Sequence, residues 1–440
     1  VLGTEPLDIL ILSNGPGELI TWVKPVVRAL RHRFTTDTSR VRISVVLSPC
    51  ANASGTEAAI AQSYPEVDRV QAAAHFFPFL LWGQTAQGWD WRRRGIVLFL
   101  GGDQIFPVII GQRLGYRTVV YAEWEARWLA WIDRVAAMRP QILETIAPRF
   151  ASKFAVVGDL MAEAVADDLA PTPLSPQDGP LIGLLPGSKP AKLSQGVPLA
   201  LAIAQEIHAA LPHSQFVLPV APTLQLQDLA RFADPEQNRV FWQVQGVRGT
   251  LVKDAESNST YLQTPTGLRI LLYVTQDDRG YHPPYALLRQ CSLCLTTVGA
   301  NTAELGALGV PMLVLLPTNQ LDAMRAWDGI PGLLANLPAI GGLWAKLINT
   351  LALRRLGLLA WPNLWAGRQI VPELVGHLTP QGVAKTALSY LQQPEKLAEM
   401  RSALRQVRGQ PGAADRIAQM VWDEMEEKSE VRSRKSEVSR

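Results

Sequence analysis

Residues 292–316 hold the pattern that most restricts the fold. An apolar run, Ser292-Leu293-Cys294-Leu295-Thr296-Thr297, is followed by Gly299-Ala300-Asn301-Thr302-Ala303-Glu304-Leu305-Gly306, then Gly309-Val310-Pro311, then a second apolar run over 312–316. A short apolar run closed by glycine reads as a buried strand and the next stretch as a helix, so the segment is a β-α-β unit of a parallel sheet. Gly299 allows close approach to the backbone, and the first N–H groups of the helix are free to meet a phosphate. Ala300, Asn301 and Thr302 form that first turn. Glu304 lies about one turn further on, where a carboxylate can accept both hydroxyls of a ribose. A plain polar helix start fits the same residues, so nucleotide binding is the sharper of two readings.

The pattern recurs along the chain. Apolar runs at 7–12, 41–47, 96–100, 117–121 and 154–157 alternate with helical stretches and predict a parallel α/β layer. The first run ends in Asn14-Gly15-Pro16-Gly17-Glu18, after which apolar residues recur at a helical period that Pro25 should kink or delay. Residues 171–180, with four prolines, read as a linker. Strands then return at 181–185, 216–220, 269–274 and 293–297, with a helix over 197–211 and a loop or hairpin over 254–266. The class is α/β: two Rossmann-like, doubly wound parallel-sheet domains with a ligand cleft between them. The expected boundaries are 1–170, the linker 171–180, a second domain 181–379, helices over 380–427 free to pack back on the first domain, and a disordered tail 428–440.

Composition narrows the class. Hydrophobic residues at 48% of 440 exclude global disorder, and a net charge of +3 argues against a nucleic-acid binder. Three cysteines make no disulfide framework and point to a reducing compartment; Cys291 and Cys294 read as core. The first residues carry Glu5 and Asp8 and pass into a strand, so no signal peptide is expected, nor a membrane span. The six histidines are scattered, and Asp277-Asp278 reads as a turn, so no metal site is expected.

Four motifs, taken together, resemble lipid-A-disaccharide synthase, a GT-B glycosyltransferase family. Leu184-Leu185-Pro186-Gly187-Ser188-Lys189 is similar to its Leu-Leu-Pro-Gly-Ser-Arg turn, and Gly299 to Glu304 to its Ser-Gly-Thr-Ala-x-x-Glu helix. Pro362-Asn363-Leu364-x-Ala366-Gly367-Arg368-x-x-Val371-x-Glu373-Leu374 is the closest match, and Gly158-x-x-Met161-Ala162-Glu163 is similar to Gly-His-Thr-Met-Ala-Asp. The first turn departs from the family's Gly-Glu-x-Ser-Gly-Asp, the donor-turn arginine is Lys189, and residues 122–128 replace a Ser-Pro-Ser-x-Trp-Ala-Trp stretch. The resemblance implies a GT-B fold. It also implies transfer of an N-acetylglucosamine-type sugar from a UDP donor to a lipid-linked acceptor, with no cofactor or metal, at the cytoplasmic face of a membrane. A UDP-sugar 2-epimerase and a non-catalytic nucleotide-sugar-binding protein share the architecture and remain alternatives. A homodimer is compatible with all three.

Glycosyl transfer needs a base and a cationic seat for the leaving diphosphate. Asp103, after Gly101-Gly102 at a strand end, is the first candidate base, and Glu18 the second; an Asp in that position also caps helices. Gly187, Ser188, Lys189 and Arg368 are candidates for the diphosphate, and Asn363 and Glu373 for polar contacts to donor or substrate. Each charge also fits a solvated surface. Two apolar-basic stretches, 75–94 with Arg92, Arg93 and Arg94, and 343–359, read as membrane-facing.

Overall fold

The chain divides into two units: Val1–Asp167 with Gly409–Arg440, and Asp168–Arg408. In the computed structural model the described residues are 5–50, 53, 55–166, 179–221, 224–277, 280–281, 283–317, 357–408 and 412–438. Most of the expected linker, and residues 343–356 of the second apolar-basic stretch, lie outside the described residues.

The first unit is built on β1 (Leu7–Ser13), β2 (Val41–Leu47), β3 (Arg69–Gln71), β4 (Arg94–Phe99), β5 (Arg117–Ala122), β6 (Arg134–Ala137) and β7 (Phe154–Val156). Their order is β3-β2-β1-β4-β5-β6-β7, and every neighbouring pair is parallel. β1 is buried at every position, as a strand covered on both faces must be. Progression reverses between β1 and β4, and ligands of such sheets bind at the carboxyl ends of the strands where the order reverses.

The second unit contains β8 (Leu181–Leu185), β9 (Gln215–Val220), β10 (Thr250–Lys253), β11 (Thr260–Gln263) and β12 (Arg269–Val274). A separate ribbon pairs β13 (Gln276–Asp277) with β14 (Gly280–Tyr281). β15 (Leu293–Thr297), β16 (Met312–Pro317) and β17 (Glu373–Gly376) complete the main sheet. Its order is β10-β11-β12-β9-β8-β15-β16-β17, with the reversal between β8 and β15. Only the hairpin β10–β11 and its edge with β12 are antiparallel, so the stretch read as a loop or hairpin widens the sheet. Alternate residues of β8 and β15 feed two cores: Ile182, Leu184, Leu293 and Leu295 on one face, Leu181, Leu185 and Cys294 on the other.

Prolines that should break helices are accommodated. Around Pro25 the helix runs on from Pro16 to Arg33, through a π-helical turn, Leu19–Val23. The N–H of Lys24 reaches back five residues to the Leu19 carbonyl. Pro25 has no N–H for the next bond, and the wide turn lets the helix pass it. Pro198 sits inside the helix Pro190–Ala210, which starts seven residues before the expected 197. The bond missing at Pro198 would have gone to Ser194, and Asn238 Nδ2 supplies it instead, 2.6 Å from the Ser194 carbonyl. Asn238 is buried and also donates to Phe232 O at 2.7 Å.

The last helix, Ala413–Val438, belongs to the first unit. Arg94 Nη2 donates to Met425 O at 2.8 Å, Arg416 Nε to Val157 O at 2.6 Å, and the buried Glu424 pairs with Arg117 and Arg134. Backbone 428–438 is therefore helical where disorder was expected. Glu, Lys and Arg are good helix formers, and the backbone bonds need no apolar face.

The arginine cluster is a correction of another kind. Arg92 donates to the carbonyls of Leu7, Arg40 and Thr38, and Arg94 is buried, so two of the three arginines point inward. Arg92 serves the amino-terminal edge of the sheet, where backbone carbonyls need donors, and Arg94 serves the last helix. Beside them Asp8, 1% exposed, accepts from Arg42 Nε (2.8 Å) and Nη2 (3.0 Å), Tyr116 Oη (2.9 Å) and Arg92 N (2.9 Å). Phe77, Leu81 and Trp82 remain exposed on the helix Phe76–Trp82. No helix among the described residues is long and apolar enough to cross a membrane.

Asn238→Ala should destabilise the chain by ~1–3 kcal/mol, the cost of buried carbonyls left without donors. Pro198→Ala, which restores an N–H to Ser194, should recover part of that loss. Urea midpoints of the four proteins of this cycle measure it, and simple additivity would show that Asn238 does not act through the proline.

Candidate active site

Both sheets present their reversal point as a glycine turn beside charged side chains. In the second unit β15 ends at Thr297, and Gly299 adopts φ 145° before the helix Ala300–Leu308. An L-side chain rarely takes that angle. A β-carbon there would also lie 3.3 Å from Lys192 Nζ. The Lys192 ammonium donates to the Val298 carbonyl at 2.7 Å, and its stem passes the Gly187 turn. Burial, and then the neighbouring Lys189, push its pKa below the usual lysine value. A half-buried cation thus stands where the first N–H groups of the helix lack intrahelical partners.

The candidates around this turn fall into distinct places. Ser188, Lys189 and Ala300 are exposed, Asn301 is half-buried, and Lys189 is the N-cap residue of the helix Pro190–Ala210. Thr302 faces inward: its hydroxyl donates to Gly299 O at 2.8 Å and accepts from Trp361 N at 3.2 Å. Glu304 is half-buried, without a hydrogen-bond or ion-pair partner among the described residues. Burial raises its pKa to about 7.

Asn363 and Glu373 are brought together, but as framework. Asn363 is wholly buried; its Nδ2 donates to Val371 O (2.8 Å) and Glu373 Oε1 (2.7 Å), and its Oδ1 accepts from Ile370 N (2.7 Å) and Val371 N (2.9 Å). Glu373 also accepts from the N–H groups of Leu359 and Ala360. No donor or acceptor of the Asn363 amide is left for a ligand, which corrects the reading of that residue as a ligand contact. Arg368 follows the Gly367 C-cap of the helix Trp361–Ala366 and is exposed.

In the first unit β1 ends at Ser13, and Glu18 folds back over Gly15 so that a β-carbon there would overlap its carboxylate. Gly101, at φ 153°, comes from the end of β4. A β-carbon on it would lie 2.7 Å from Asn14 Oδ1 and 3.4 Å from both Ser13 Oγ and Glu18 Cγ. Among the described residues, Ser13 Oγ and Asn14 Oδ1 are buried there without a hydrogen-bond partner. Glu18 is half-buried and its pKa is raised, chiefly by burial. Asp103 is different: Oδ1 accepts from Ile105 N at 3.0 Å, Arg127 Nη2 stands 4.0 Å away, and the side chain is 47% exposed. The capping alternative therefore describes one oxygen of Asp103.

Sequence reasoning passed over Lys192, Ser13 and Asn14. Lys192 left a signal, since a lysine in the first turn of a helix opposes the macrodipole. Among the described residues no three His, Cys, Asp or Glu side chains gather as metal ligands.

No protein-family model matches the chain. It is similar to the lipid-A-disaccharide synthase of Anaeromyxobacter sp. (strain K), 26% identical over 244 residues, 54% of this chain and 48% of that protein. It is likewise similar to the same-named protein of Nitrosococcus oceani, 25% identical over 233 residues, 53% of this chain and 44% of that protein. The chain thus spans about half the length of the curated relatives it matches, and the relation is distant. Among solved structures, a Listeria monocytogenes protein assigned as a UDP-N-acetylglucosamine 2-epimerase superposes with TM-score 0.55 at 16% identity, covering 96% of this chain and 97% of that one. The UDP-GlcNAc 2-epimerase of Neisseria meningitidis, bound to UDP-GlcNAc, gives 0.51 at 12%, covering 95% and 100%. These likenesses agree with the two Rossmann-like sheets, and the fold is GT-B.

Asn363→Ala should lower stability by ~2–4 kcal/mol, because it strands several buried groups at once. Chemical denaturation measures this; an unchanged midpoint would return Asn363 to the list of ligand contacts.

Proposed function

We propose that the chain is a glycosyltransferase that moves an N-acetylglucosamine-type sugar from UDP to a lipid-linked acceptor. The observation that carries this reading is Lys192 held against the Gly299 turn at the start of the helix Ala300–Leu308. A leaving diphosphate needs a cation and N–H donors in a partly desolvated place, and this turn supplies both. Lys189 and Arg368 add charge, and Glu304 takes the ribose hydroxyls. The relatives' name, lipid-A-disaccharide synthase, supports a sugar-bearing lipid as acceptor.

In the first unit Glu18 is the better base. It is half-buried with a raised pKa, and proton transfer is most effective from a group whose pKa approaches the working pH. Asp103 is more exposed and spends one oxygen on Ile105. The acceptor hydroxyl gives its proton to Glu18 as its oxygen bonds to the anomeric carbon. The bond from that carbon to the UDP oxygen breaks, and Lys192 and the helix N–H groups take up the charge. Membrane contact, at the cytoplasmic face, falls to Phe77, Leu81 and Trp82 rather than to the arginines.

The deciding assay incubates the full chain with labelled UDP-N-acetylglucosamine, with and without a bacterial lipid extract. Label in a lipid product, with UDP released, is the expected result. Release of free or epimerised sugar without lipid would assign the 2-epimerase class instead, and tight UDP binding without turnover a binding protein.

Three variants apportion the chemistry. Glu18→Gln should slow transfer ~10²–10⁴-fold with UDP affinity unchanged, and Asp103→Asn should cost much less. The reverse order would move the base to Asp103. Lys192→Met removes a half-buried charge, so stability should hold while transfer slows; normal turnover would make Lys192 structural.

Glu304 makes the donor site sensitive to pH. Only the ionised carboxylate accepts from both ribose hydroxyls, and its pKa is raised to about 7. Lowering the pH from 8 to 6 should therefore weaken UDP binding about tenfold more in the wild type than in Glu304→Gln, which keeps the phosphate's own titration. Calorimetry at both pH values measures the difference, and parallel profiles would remove Glu304 from the ribose site.

A further inference from the structure

The loop after β5 holds two tryptophans that the core does not use. Ala126 and Leu129 pack it onto the hydrophobic core, whereas Trp128 and Trp131 are 40% and 55% exposed. Their rings lie against each other, with centroids 5.9 Å apart and planes at 48°. Trp124, on the same loop, has a partner of its own, the Arg139 guanidinium 4.4 Å above its ring.

Exposed indoles on a mobile loop would mean little, but this loop is tied down. The buried Gln104 accepts from Arg127 N at 2.7 Å and donates to Glu125 O at 2.9 Å. Lys153 Nζ donates to the carbonyls of Leu129 (2.7 Å) and Ile132 (2.6 Å). The N–H groups of Trp131 and Ile132 both bond to the Trp128 carbonyl. At the centre of these ties Trp128 has φ 61°, a left-handed backbone that a bulky side chain adopts only under constraint. Such strain collects at ligand-binding positions, where surrounding structure enforces it.

The polar surroundings name the ligand. Arg127, the chain neighbour of Trp128, stands 3.3 Å from Glu125 and 4.0 Å from Asp103, so the segment that carries the rings also carries charged donors and acceptors. An indole face is electron-rich and attracts the polarised C–H groups of one side of a sugar ring, while carboxylates and guanidinium take its hydroxyls. An acyl chain or a bilayer would be ill served by these charges. We propose that Trp128 and Trp131 form a platform for a pyranose ring on the first unit. Its assignment to the acceptor sugar rests on the transfer proposed above; the platform itself does not.

Saturation-transfer NMR on the full chain tests it, with N-acetylglucosamine 1-phosphate and UDP as separate probes and phosphatidylglycerol vesicles in a parallel flotation assay. The variants are Trp128→Gly, which suits the left-handed backbone and removes the ring, and Trp128→Phe, which keeps a ring; melting curves check both. The sugar phosphate signal should fall about threefold or more in Trp128→Gly and largely survive in Trp128→Phe, with the UDP signal unchanged. No sugar signal in the wild type, or an equal one in Trp128→Gly, overturns the platform. Loss of vesicle flotation with the sugar signal intact also overturns it, in favour of a lipid surface. A missing UDP signal with a Trp128-dependent sugar signal would sink the donor reading and leave the platform standing.

Discussion

The Asn363 amide organises the second unit around its glycine turn. Its four hydrogen bonds join the helix Trp361–Ala366 to Ile370, Val371 and Glu373. Glu373 then holds the N–H groups of Leu359 and Ala360, which sets where Trp361 begins its helix. Trp361 N meets the Thr302 hydroxyl, and Thr302 grips the Gly299 carbonyl. A chain of neutral and charge-assisted bonds therefore reaches the turn from the side of the helix Trp361–Ala366. Loss of any buried link would cost more than the link is worth, since its partners stay buried.

The two units answer the same geometric demand with different side chains. In each, parallel strands converge at a reversal point and the chain must turn sharply beside a second loop. Gly299 meets Lys192 there, and Gly101 meets Asn14, Ser13 and Glu18. The second unit places a cation at its turn and the first a carboxylate with two polar atoms that lack partners among the described residues. In the transfer proposed above, the cation serves the donor anion and the carboxylate the acceptor hydroxyl.

Charge elsewhere serves the framework. Asp8 gathers Arg42, Tyr116 and the Arg92 backbone at the opposite edge of the first sheet, and Arg69 lies over Trp89 and Trp91 at 4.4 and 5.2 Å. Glu424 draws Arg117 and Arg134 onto the last helix. Arginine suits these places because its fork bonds several carbonyls or carboxylate oxygens at once while its stem packs. An arginine-rich stretch beside tryptophans thus reads as a surface from composition and as a bolt from structure.

Much of the fold was legible in the chain because a parallel sheet buried on both faces needs apolar runs, and those runs stand out without knowledge of their neighbours. The runs at 7–12, 181–185 and 293–297 became β1, β8 and β15, each ended by the turn its glycine announced. The short β6, with Arg-Val-Ala-Ala, and β17, hidden in a polar motif, carried too little apolar character to be found. Glu304 could be placed one turn after Gly299 because helix geometry is local. Whether its carboxylate is desolvated, whether Asn363 faces a ligand or Glu373, and whether Lys192 reaches Val298 are properties of pairs. Their partners lie ten residues apart for Asn363 and Glu373 and more than a hundred for Lys192 and Val298, so only tertiary packing, which sets distance and burial together, decided them.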